Sequence, residues 1–117
     1  MERLIAIRGA TTIENDTKEE IEKACIELFN AIKNANSLDE DDIVSIQISS
    51  TQDIVSYYPA TALRLSGCDK PLFSSLEPPI VGSLPKCIRF LVLAYTKTDP
   101  NHIYLKNAIN LKKDLSK

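Results

Sequence analysis

Cys87-Ile88-Arg89-Phe90-Leu91-Val92-Leu93-Ala94-Tyr95 is the stretch on which the fold turns. A strand with one face in water alternates apolar with polar residues, whereas this run is apolar on both faces, as a central strand covered on both sides would be. Arg89 is the exception. A lone cation inside such a strand is costly to desolvate, so it must meet either an internal carboxylate or an anion, and the pattern leaves both open.

Working outward, Pro71 to Leu76 reads as another strand, followed by Glu77 and then by Pro78-Pro79, which force an irregular connection. Ile43 to Ser49 alternates from Val44 on as Val, Ser, Ile, Gln, Ile, Ser, in the manner of a half-buried strand. Between these two, Pro59 suits the first turn of a short helix that stops before Gly67. Near the N-terminus an apolar run from Leu4 delivers Arg8 at the end of a strand that breaks at Gly9 into a polar turn. Thr17-Lys18-Glu19-Glu20 then fits a capping box, and Ile21, Ala24, Cys25, Leu28, Phe29 and Ile32 recur on one helical face, predicting a helix over about 18 to 34. Ile103 to Leu111 fits helix and strand equally, and the Lys-rich end, 112–117, reads as frayed.

The order strand, helix, strand, short helix, strand, strand describes an α/β (α+β) fold, a mixed β-sheet covered by one long helix. Its 117 residues, without repeat or linker, make a single domain over 1–117. Sixteen acidic and fourteen basic residues give a net charge of -2, with no basic block of the kind nucleic acid requires. No run of about 18 apolar residues suggests a membrane span, and with no signal-peptide pattern the expected location is cytoplasmic. The three cysteines lack C-x-x-C spacing, and His102 has no ligand companions, so neither a disulfide framework, a metal site nor a role for His102 beyond surface or cap is indicated.

Several residues stand out singly. Arg8 is either a surface arginine or a ligand for an anion at a strand end. Glu77 is a solvated loop carboxylate or one held in place by the stiff prolines after it. Tyr104 and Arg64 read by default as a packing residue and a solvent-facing cation. No Ser-His-Asp set, Cys-His pair or glycine-rich phosphate loop is present, so an enzyme built on this chain works without a recognisable nucleophile.

In order along the chain, I-R-G-A-T-T (Ile7 to Thr12), Tyr58-Pro59-Ala60 followed by Arg64, Pro71-Leu72 leading to Glu77, Lys86-Cys87-Ile88-Arg89, and Tyr104-Leu105 followed by Leu111-Lys112-Lys113-Asp114-Leu115 resemble the monofunctional AroH-class chorismate mutases over essentially the whole chain. The resemblance implies a homotrimer forming a pseudo-α/β barrel, active sites at subunit interfaces, and cofactor-free conversion of chorismate to prephenate on the way to phenylalanine and tyrosine. It implies that Arg89 donates to the ether oxygen and a carboxylate, that Arg8 binds near a carboxylate and the ring hydroxyl, that Glu77 accepts from that hydroxyl, and that Tyr104 binds a carboxylate. Ser74 falls where a cysteine is frequent, and Leu111 adds an apolar contact. From the neighbouring subunit come Tyr58, where phenylalanine is usual, Arg64 near the entrance, and Thr61, where some members carry lysine. Cys68 replaces a common tryptophan and Lys112 an arginine. The alternatives are a catalytically silent trimeric anion-binding module on the same architecture and, third, an imine deaminase on a similar trimeric fold.

Overall fold

Thr17 opens the long helix. In the computed structural model, which describes residues 2–111, its Oγ1 accepts from the Glu20 N–H at 3.2 Å and α1 runs Lys18–Ala35. The frayed end expected at 112–117, Lys112 included, lies outside the described residues. Only half of the expected capping box forms. The Glu20 carboxylate does not return to Thr17; its Oε1 accepts from the N–H groups of Glu14 and Asn15, both at 3.1 Å, and so ties the preceding loop to the helix. An N-cap hydroxyl satisfies a helix donor that is otherwise orphaned, so Thr17→Ala is expected to cost about 1 kcal/mol in denaturant unfolding, with Thr17→Ser close to wild type.

The sheet has the order β3-β2-β4-β1-β5. Its centre is β4 (Cys87–Thr96), antiparallel to both β1 (Arg3–Thr12) and β2 (Ile43–Ser50). Two parallel edges complete it: β3 (Leu72–Leu76) beside β2, and β5 (Ile103–Tyr104) beside β1. The short α2 spans Pro59–Leu65 with Pro59 in its first turn. The mixed sheet and its long helix agree with expectation, and the ambiguous tail is both things in turn, strand at Ile103–Tyr104 and a 3₁₀ turn at Lys106–Ala108.

The helix covers one face. Ile21, Leu28 and Ile32 of α1 are fully buried against Ile7 of β1, Ile46 and Ile48 of β2, and Ile88, Phe90 and Val92 of β4. Each such side chain contributes about 1.5–3 kcal/mol by leaving water. The other face is not covered within a single chain: Arg89, Leu91 and Leu93 are half-buried, while Tyr95 and Phe73 remain 47% and 66% exposed. The central strand is therefore buried on both sides only in its sequence pattern.

Two local expectations change. The first strand does not break at Gly9 but continues to Thr12. Gly9 is there because α1 presses on it: a Cβ would lie 2.5 Å from Ile32 Cδ1 and 3.3 Å from Leu28 Cδ1. In β2 a bulge between Ile43 and Ser45 shifts the register, so that Val44 is 41% exposed and Ile43 takes the buried place.

At its C-terminal end α1 is joined to the segment before β5. The buried Asn36 donates through Nδ2 to the carbonyls of Ile32 and Asn101 at 2.9 and 3.0 Å, and its Oδ1 accepts the Asn101 N–H at 2.7 Å. Asn101 Nδ2 returns a bond to the Ala35 carbonyl at 3.0 Å.

Candidate active site

Strand register builds the site. Ser75 of β3 stands beside Ser49 of β2, Ser49 beside Arg89 of β4, Arg89 beside Ala10 of β1, and Ala10 beside Tyr104 of β5. Paired residues share a face, so every strand gives one residue to a line across the open side of the sheet. The next rung carries Arg8, Leu91 and Gln47. Together Arg8, Arg89, Tyr104, Gln47, Ser49 and Ser75 line a cavity of about 300 Å³.

Glu77 is fixed just beyond β3 by its N–H, which donates to the Ser50 carbonyl at 2.9 Å. Its Oε2 accepts from Arg89 Nε at 2.9 Å and from Ser49 Oγ at 2.8 Å, with the glutamate side chain 16% and the arginine side chain 41% exposed. The internal carboxylate partner of Arg89 is therefore present, and it takes up only one edge of the guanidinium. One of the five guanidinium N–H groups is engaged, and among the described residues the terminal nitrogens donate to no protein acceptor. A half-exposed pair of this kind adds little stability, because solvent screens it, but it fixes where the remaining donors point.

The Arg8 backbone N–H donates to His102 Nδ1 at 2.9 Å. Burial, and after it the Arg8 charge, hold the imidazole below its ordinary pKa. The neutral ring is the form that folding favours, so its contribution to stability is complete above pH 6.5 and is lost as pH falls through the depressed folded value. Removing the imidazole is expected to flatten the acid limb of the stability profile just below that pH.

Tyr104 is half-buried against Ala10, Cys87 and Ala108, with Leu111 packed on the same group. Burial, opposed by the Arg89 charge, pushes the Cys87 thiol up to about 11, so it stays a neutral packing group beside the guanidinium. All three cysteines are buried and unbridged, and among the described residues no cluster of His, Cys, Asp and Glu could hold a metal ion. No described helix is long and apolar enough to cross a membrane.

The remaining expected residues do not reach this cavity in one chain. Tyr58 and Ser74 line a second one, of about 650 Å³, with Pro59 and Leu76. Thr61, Arg64 and Cys68 line a third, of about 390 Å³, with Lys70. Ser74 stands beside Ile48, one residue out of phase with the line through Arg89, so on β3 it is Ser75 that shares the arginine's face. Ser75, Gln47 and Ser49 were not singled out from sequence. For the last two the signal was the alternation of β2, which sets them opposite its buried isoleucines.

The family model of chorismate mutase type I matches residues 4–115. The chain belongs to the type I chorismate mutase family. Among its relatives in that family are the chorismate mutase AroH of Thermus thermophilus, 40% identical over 114 residues and 93% of each chain, and that of Bacillus subtilis strain 168, 37% identical over 115 residues, 94% of this chain and 91% of the relative. The solved chorismate mutase from Clostridium thermocellum superposes with a TM-score of 0.87 at 37% identity, covering 91% of this chain and 98% of that one. The mixed sheet under one helix is thus a type I chorismate mutase fold.

Proposed function

We propose that the chain is a chorismate mutase that rearranges chorismate to prephenate in the cavity between Arg8, Arg89 and Tyr104. The observation that carries this reading is the Arg89 guanidinium, held by Glu77 through Nε alone and open to that cavity. The reaction is intramolecular: an ether carbon–oxygen bond breaks as a carbon–carbon bond forms, with no proton transfer and no covalent intermediate. Negative charge grows on the ether oxygen, and a fixed cation already in place there lowers the barrier without reorganising. Holding the dicarboxylate in its folded conformer contributes the rest.

In this reading Arg89 donates to the ether oxygen and a carboxylate, and Arg8 binds near a carboxylate and the ring hydroxyl. Glu77 accepts from the hydroxyl while bracing Arg89, and Tyr104 binds a carboxylate. Ser74, assigned a hydroxyl contact by family position, competes for that part with Ser75, which lies on the cavity's face. Leu111 contributes an apolar contact beside Tyr104.

The site is completed in a homotrimer. Support comes from the sheet face left open in one chain, where Phe73, Leu4 and Tyr95 are exposed, and from the separation of Tyr58, Thr61 and Arg64 from the Arg89 cavity. A neighbouring copy would supply those residues as an apolar wall and an entrance cation. The substrate is a soluble metabolite and the proposed location is the cytoplasm. Purified protein mixed with chorismate is expected to consume it and form prephenate, with light scattering giving three times the 13.0 kDa chain mass. A folded protein that leaves chorismate untouched sinks the enzyme, and a monomer that turns it over sinks the interface site.

A further inference from the structure

The edge strand β5 is only Ile103–Tyr104, yet it must place Tyr104 against the cavity. Two residues cannot fix their own register against β1. On the far side the Leu105 N–H donates to the Ala10 carbonyl at 2.9 Å. On the near side it is the imidazole of His102 that accepts the Arg8 N–H. An amide can only donate, so Nδ1 is unprotonated and the ring proton sits on Nε2. The residue before the histidine is clamped to the end of α1 by Asn36 and Asn101. The imidazole therefore reaches Arg8 from a held backbone rather than from a loose loop.

We infer that His102 is a positioning residue for the mutase reaction: its Nδ1, accepting the Arg8 backbone N–H, sets the β1–β5 register that brings Arg8 and Tyr104 to the same cavity. The inference rests on the function proposed above. His102 touches no substrate and acts through the two residues it aligns. Protonation would turn the acceptor into a donor facing a donor, close to the Arg8 charge. Among the described residues Arg8 is the charged group that acts on the ring.

The test compares His102→Asn, whose Oδ1 stands in for Nδ1, with His102→Leu, which keeps bulk but has no acceptor. Chorismate kinetics and amide hydrogen exchange at Arg8 are measured on both variants and on wild type. In His102→Leu, Arg8 exchange protection falls and KM rises about five- to tenfold, with kcat changed less than about twofold, as expected when binding of ground and transition state suffers alike. In His102→Asn, KM returns to within about twofold of wild type, and the fall in kcat/KM on acidification below pH 6.5 that wild type shows is lost. Unchanged KM and Arg8 protection in His102→Leu overturn the role, as does equal damage in both variants. The wild-type assay keeps the two claims apart: an active wild type with an indifferent His102→Leu overturns the positioning role alone, whereas an inert wild type overturns both.

Discussion

Arg89→Ala lowers kcat by at least roughly 300-fold, about 3.5 kcal/mol in barrier height, while KM rises far less. The size follows from the role proposed for the guanidinium: a contact to charge that exists only in the transition state is invisible in substrate binding and appears in kcat. The Glu77 bond gives the experiment a second arm. Alanine also leaves Oε2 without its cationic partner, although Ser49 still donates to it. Replacement by the neutral isostere citrulline keeps the shape and an Nε–H donor for Glu77 and removes the charge alone. If both variants lose kcat alike, the charge is responsible. An unchanged kcat in Arg89→Ala, with the fold intact by circular dichroism, means that the key cation has been wrongly assigned.

Gly9→Val destabilises the fold by about 1–3 kcal/mol or more, the cost of forcing atoms into a filled core. The glycine lies mid-strand with α1 directly over it, and even its first added carbon would meet Ile32 Cδ1 at 2.5 Å. Ile32 is fully buried, so its Cδ1 can turn aside only toward space that other core side chains already occupy. Shortening the obstacle makes the cause testable. Ile32→Ala alone costs about 2–5 kcal/mol, but combined with Gly9→Val the total falls below the sum of the two, because the new side chain fills space that the missing one vacated. Denaturant midpoints of the four proteins measure the coupling, and strict additivity would mean that the helix does not press on Gly9.

Elements governed by short-range periodicity were legible. The six buried positions of α1 are the ones its helical spacing selects, and the Pro59 start of α2 needed only the rule that proline suits a first turn. What failed were features decided by a partner distant in sequence. Gly9 looks like a strand break until Ile32 is placed over it, and Val44 looks buried until the bulge opposite β4 is known. His102 read as a surface or capping residue, and it does cap a backbone amide, but nothing nearby announces that the amide is that of Arg8, 94 residues away. Of the site, Arg89 was legible as a charge where none belongs, while Arg8, Glu77 and Tyr104 gained meaning only beside it, through family resemblance. Ser49 and Ser75 stayed hidden, since a polar residue on a solvent-facing rung is ordinary until a register sets it beside an arginine.

The line from Ser75 through Ser49, Arg89 and Ala10 to Tyr104 carries a consequence for how the chain reaches its native state. No segment of the chain contains this line: it takes one residue from each strand, and its β1–β5 end joins positions 10 and 104. Helix α1 forms from neighbours and gathers quickly, whereas pairings between distant strands must first meet the entropy of closing long loops. The cavity cannot exist until those distant pairings have formed. In a stopped-flow experiment the recovery of catalysis should trail the return of helical signal, because activity waits for the paired sheet and, in the trimeric reading, for assembly as well.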